Sequence, residues 1–263
     1  IGDIMRKKST YIILISIIFI FGIIMFLVFG VENIKQGAYD STIIVGDNTV
    51  WTYSKKKWVN VSSRSSIDKL NWKTYKVYSN NEYLGDYLLW HDDRWYAFDK
   101  NKNGVNITGN ILAYSANYNI DILNAESSDA TVDNYVSQVL DDNNISLSSK
   151  FTALTKTSVD FDGDGVWEDF YVVSNAFPID FYPENIFSIV FMVKDGKVSY
   201  LYNDISKNNS FNGCKPYINT FLDTNNDGTY EMILSCGKYS VDEEVDMLYG
   251  YKENEFQILI SNQ

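Results

Sequence analysis

Residues 154–174, LTKTSVDFDGDGVWEDFYVVS, and residues 217–236, YINTFLDTNNDGTYEMILSC, are two versions of one pattern. Each runs from a β-branched and aromatic segment through an acidic loop into a second such segment. The first loop is Asp160-Phe161-Asp162-Gly163-Asp164-Gly165-Val166-Trp167-Glu168, and the second is Asp223-Thr224-Asn225-Asn226-Asp227-Gly228-Thr229-Tyr230-Glu231. Oxygen side chains stand at positions 1, 3, 5 and 9 of both, and glycine at position 6.

Working outward, the order repeats. Leu154 to Val159, the Asp160 loop, Phe170 to Ser174, Phe187 to Val193, a Lys-Asp-Gly-Lys turn and Val198 to Tyr202 predict four strands. Tyr217 to Leu222, the Asp223 loop, Glu231 to Cys236, Asp246 to Tyr251, a Glu-Asn-Glu turn and Phe256 to Ile260 predict the same four again. A fainter third copy, Asp99 to Gly104, has Ile107 in the ninth position and reads as a plain turn. A spacing of this order suggests stacked blades. Too few units fit in the chain for a large propeller, which needs about four to eight.

Upstream, Thr49 to Tyr53, Lys57 to Val61, Tyr75 to Tyr78, Tyr87 to Trp90 and Arg94 to Phe98 also read as strands. Trp51, Trp58, Trp72, Trp90 and Trp95 are expected to form the core of this part, with stacking on sugar rings as the alternative. His91, beside Asp92 and Asp93, reads as part of a turn, since no nucleophile or oxyanion motif accompanies it. One helix is expected, with Val132, Tyr135, Val136, Val139 and Leu140 at spacings of three and four and Asp129 as its cap.

Tyr11 to Val31 is apolar except for Ser16 and follows Arg6, Lys7 and Lys8. A run of that length spans a roughly 30 Å hydrocarbon core, and the cations before it orient the N-terminal side to the cytoplasm. The expectation is a transmembrane signal anchor over residues 1–31, with a cleaved signal peptide as the rival. An aromatic β domain over 32–125 would follow near the membrane. A helix and two blade-like repeats over 126–263 would complete a mainly β, antiparallel, incomplete propeller-like fold outside the cell.

The chain has 22 basic and 34 acidic residues; setting aside Arg6, Lys7, Lys8 and Asp3 of the anchor leaves 19 and 33, a net charge of −14. Such a surface repels nucleic acid. With one histidine and two cysteines in the chain, the usual zinc sites are excluded. Cys214 and Cys236, in an oxidising place, would form a disulfide or stay as two buried thiols.

The loops carry the chemistry. Hard Ca²⁺ takes six to eight oxygens, and a tightly wound loop lets alternating carboxylates converge on one point. Glycine at position 6 lets the backbone turn so that the carbonyl of Val166 or Thr229 points inward. The expected ligands are Asp160, Asp162, Asp164, Val166 and Glu168 in one loop, and Asp223, Asn225, Asp227, Thr229 and Glu231 in the other. A metal-free Asp-Gly turn is the plain alternative, against which stands the mutual repulsion of four carboxylates in the first loop. An EF-hand would need glutamate at position 12, where Tyr171 and Leu234 stand.

These loops resemble the FG-GAP and VCBS repeats of integrin-like propellers and bacterial surface proteins, whose mark is Asp-x-Asp/Asn-x-Asp-Gly-x-x-Asp/Glu followed by a strand. The resemblance covers residues 150 to 263 and implies metal-stabilised hairpins in an extracellular, non-catalytic module. The chain departs in repeat number and in lacking a Phe-Gly/Gly-Ala-Pro signature. The functional expectation is a membrane-anchored surface binding or adhesion protein with two structural Ca²⁺ ions and a protein or glycan ligand. The alternatives are a carboxylate-dependent hydrolase of envelope polysaccharide and a purely structural envelope protein.

Overall fold

The computed structural model describes residues 41–262 apart from 48, 55, 108–110, 116–119, 124, 126, 177–184, 208–213 and 239–243. The expected anchor therefore lies outside the described residues. Among those described, no helix is long and apolar enough to cross a membrane.

The N-terminal sheet contains β1 (Ser41–Val45), β2 (Thr49–Ser54), β3 (Lys57–Asn60), β4 (Lys73–Ser79), β5 (Glu82–His91), β6 (Trp95–Phe98), β7 (Gly104–Val105) and β8 (Ile111–Ser115). Its order is β3-β2-β1-β8-β4-β5-β6-β7. A single helical turn, α1 (Arg64–Ile67), lies between β3 and β4. Two short strands follow, β9 (Asp121–Leu123) and β10 (Ser127–Asp129), then helix α2 (Asn134–Asp142).

The first repeat forms β11 (Ala153–Val159), β12 (Glu168–Ser174), β13 (Asn185–Lys194) and β14 (Lys197–Lys207). The second forms β15 (Cys214–Asp223), β16 (Glu231–Lys238), β17 (Glu244–Lys252) and β18 (Glu255–Ser261). Each is an up-and-down meander, extended at its edge by a borrowed strand: β10 joins β11, and β9 joins β15. The protein is mainly β, with antiparallel sheets and two short helices, and the described strands close neither a barrel nor a propeller.

Alternation along the strands explains the stacking. In β16, Met232, Leu234 and Cys236 face the first repeat, where Phe170, Val172, Val190 and Met192 meet them. Ile233, between them, faces the other way and packs with Leu222 and Leu248 against Ile43, Val45, Trp51 and Trp58 of the N-terminal sheet. Strands β16 and β17 in the middle of the second-repeat sheet are thus buried on both faces, which is why β16 carries the apolar run Met232 to Leu234. The far face of the first repeat, with Tyr171, Phe187, Ile189 and Phe191, is covered by Val136, Val139 and Leu140 of α2.

Asp133, not Asp129, caps α2. Its Oδ1 accepts from the backbone nitrogens of Tyr135 and Val136, both at 2.9 Å, satisfying donors a helix start leaves free. Asp129 instead ends β10, paired with Thr155. The expected tryptophan core holds for the buried Trp51, Trp58 and Trp95 and fails for Trp72, which is 44 % exposed. Asp99 does make a plain turn, its Oδ1 accepting from the nitrogens of Asn101 and Asn103. Cys214 and Cys236 are bridged across neighbouring strands β15 and β16, with Cα atoms 5.4 Å apart.

Candidate metal centre

The two acidic loops wind alike. Position 4 (Gly163 or Asn226) and position 6 (Gly165 or Gly228) all have positive φ, with both position-6 glycines at 84°. The first aspartate of each loop accepts from the nitrogen at position 6: Gly165 to Asp160 Oδ2 at 3.0 Å and Gly228 to Asp223 Oδ2 at 2.9 Å. The position-7 nitrogens of Val166 and Thr229 donate to Asp164 Oδ1 and Asp227 Oδ1. The closing glutamates accept from position 2, Phe161 to Glu168 and Thr224 to Glu231. The loops also touch, since Tyr230 donates its backbone hydrogen to the carbonyl of Phe161 at 2.8 Å.

The loops differ in how their carboxylates are used. In the first, oxygens of Asp160, Asp162 and Glu168 lie within 4.8 Å of one another. Two atoms bound to one Ca²⁺ at about 2.3–2.6 Å can be at most about 5 Å apart, so this spacing admits a shared ion. Asp160 Oδ1 and Asp162 Oδ1 are buried without a hydrogen-bond partner, the condition a cation would relieve. The donor set therefore fits a hard cation. Asp164 sits at the rim, nearly half exposed, and its carboxyl lies below its usual range because of the Val166 hydrogen bond.

One cation already enters this cluster. Lys194, at the end of β13, places Nζ 2.8 Å from Asp162 Oδ2 and 2.6 Å from Glu168 Oε1. Burial alone would lower the Lys194 pKa, but its bonds to Asp162 and Glu168 outweigh that and hold the ammonium above its ordinary value. Glu168 is fully buried, and that burial raises its carboxyl despite the attraction of Lys194. Sequence reading missed Lys194 because it lies in a turn motif 26 residues beyond Glu168.

In the second loop the protein itself uses the oxygens. Asp223 Oδ1 accepts from the nitrogens of Asn226 and Asp227, and Asn225 Oδ1 accepts from Asp227. Glu231 Oε2 accepts from the Thr224 nitrogen at 2.9 Å and hydroxyl at 2.7 Å. Burial pushes the Glu231 carboxyl up to about 7. Its acids are not gathered as those of the first loop are, and Thr229 contributes to the wall of a neighbouring cleft.

His91 ends β5 with its ring 4.9 Å from that of Trp95, and burial lowers its pKa. Comparisons with protein-family models, curated proteins and solved structures return no match.

Proposed function

We propose that this chain is a membrane-anchored extracytoplasmic binding or adhesion module whose blade-like repeats are stabilised by calcium. The observation that carries the reading is the convergence of Asp160, Asp162 and Glu168, with two buried oxygens left unpaired. The duplicated loop winding supports treating both loops as one kind of element, as does their resemblance to FG-GAP and VCBS repeats. The first loop, with Asp164 at its rim and the Val166 carbonyl, is the stronger site. The second, with Asp223, Asn225, Asp227, Thr229 and Glu231, would bind by releasing part of its internal hydrogen bonding. The metal's role is structural: it neutralises acids that otherwise repel one another.

Thermal melting of the full chain in detergent, with Ca²⁺ or with EDTA, tests this. Calcium at ten to a hundred times Kd stabilises a site by about 1.4–2.7 kcal/mol, a rise of several degrees, and Asp160→Ala should remove most of it. An unchanged midpoint would sink the calcium reading.

A further inference from the structure

We propose that the cleft between the second acidic loop and the β2–β3 turn binds an anionic saccharide, a sugar unit carrying a carboxylate or phosphate. The cleft has a volume of about 420 Å³, within the roughly 300–1,000 Å³ of small-molecule sites. It opens where the second-repeat sheet meets the N-terminal sheet.

Its charge is the first argument. Lys56 of the β2–β3 turn, Lys57 at the start of β3 and Lys252 at the end of β17 all line it. They are exposed, and among the described residues none of the three forms an ion pair. Lys194, at the matching hairpin end of the first repeat, is committed to Asp162 and Glu168. Against these three lysines the cleft sets the carboxylates of Asp227 and the buried Glu231, so its lining keeps a small positive excess in an acidic protein. The surrounding negative charge disfavours a long polyanion and leaves a single acidic unit as the better fit.

The remaining walls suit a sugar. Tyr53 and Tyr251, both half-buried, line the cleft, and the buried Trp58 backs Tyr53 edge to face with centroids 5.4 Å apart. Aromatic rings offer apolar surface to the C–H face of a pyranose while keeping a polar tip. Thr229 presents a hydroxyl on the loop side of the cleft, able to donate to or accept from a sugar hydroxyl. Thr224 and Glu231 also line the cleft and are bonded to each other when the second loop holds no ion. A peptide added as a strand is disfavoured, because edge strands β3 and β18 already pack together.

This deepens the binding-module reading and rests on it for the place where ligand is met. The test is calorimetric titration of the full chain in detergent with four probes: a uronic-acid oligosaccharide, a sugar phosphate, a neutral oligosaccharide of equal length and an acidic peptide. We expect one or both anionic saccharides to bind at least about tenfold more tightly than the neutral one, with the affinity falling as salt rises. The surface double variant Lys57→Glu/Lys252→Glu should weaken that binding about tenfold or more, at an unchanged melting midpoint. The proposal is overturned if neither anionic saccharide binds, if charge reversal leaves affinity unchanged, or if the peptide binds equally well. A calcium-dependent melting shift measured on the same sample separates such a failure from failure of the calcium module.

Discussion

Lys194 Nζ lies 2.6 Å from Glu168 Oε1, so the end of one hairpin supplies a cation to the last residue of an acidic loop. An ammonium and a divalent ion would compete for the same oxygens. Removing the lysine leaves the buried Glu168 without its counter-charge, a change costing about 3–5 kcal/mol in a fully dry site and less here at the loop surface. Lys194→Met should lower the midpoint in EDTA by several degrees and enlarge the rise produced by Ca²⁺. A calcium response equal to that of the parent chain would show that Lys194 and the metal do not share a site.

Asp246 is buried between the second-repeat and N-terminal sheets, accepting from the hydroxyls of Ser235 and Thr49, both at 2.5 Å. Burial pushes its carboxyl up to about 6. The folded state therefore holds this proton more tightly than the unfolded chain does, and the group's contribution to stability falls as pH rises between about 4 and 6. Asp246→Asn keeps an acceptor and adds a donor without the charge. At pH 7 it should melt no lower than the parent, and its advantage should shrink on acidification by up to about 1.4 kcal/mol per pH unit. Parallel melting curves for the two proteins from pH 7 to pH 4.5 would refute this.

The Cys214–Cys236 bridge, spanning 22 residues, encloses the whole second acidic loop. Closing a loop of that length removes about 3 kcal/mol of unfolded-state entropy. The double variant Cys214→Ser/Cys236→Ser should melt about 6–12 °C lower, taking about 2–4 °C per kcal/mol for a chain of this size. A shift below 2 °C would mean that the bridge constrains little.

Asp133 holds both the start of α2 and, through Oδ2, the hydroxyl of Tyr171 at 2.6 Å. Asp133→Ala should cost about 1–2 kcal/mol from the cap and roughly 1 kcal/mol more from the tyrosine. Asp129→Ala, outside the helix, should cost much less. Chemical denaturation of the two variants ranks them, and a reversed order would refute the cap assignment.

What could be read before folding follows local physics. The repeated strands were legible because apolar and polar residues alternate or run between turn residues. The turns were legible because Asp-Gly and Asn favour the positive φ of a tight hairpin, which Asp195, Gly196, Glu253 and Asn254 all adopt. Strand β1, Ser41–Val45, is buried throughout, so it carries no alternation and escaped notice. Strands β9 and β10 are three residues each, too short for any period. Asp129 read as the cap, but the pairing of β10 with β11 takes it into a strand and the helix starts after Asp133.

Local sequence is enough to specify the acidic loops, whose winding rests on contacts spanning only a few residues: Gly165 to Asp160, Gly228 to Asp223, Thr224 to Glu231. Tertiary structure alone decided which acids converge, that Lys194 stands among them, and that Lys56, Lys57 and Lys252 meet beside the second loop. It also placed the second repeat between two other sheets. Those outcomes depend on residues tens to nearly two hundred positions apart, as with Thr49 and Asp246, and no local preference encodes them. The placement of the second repeat follows because both faces of β16 must be covered at once.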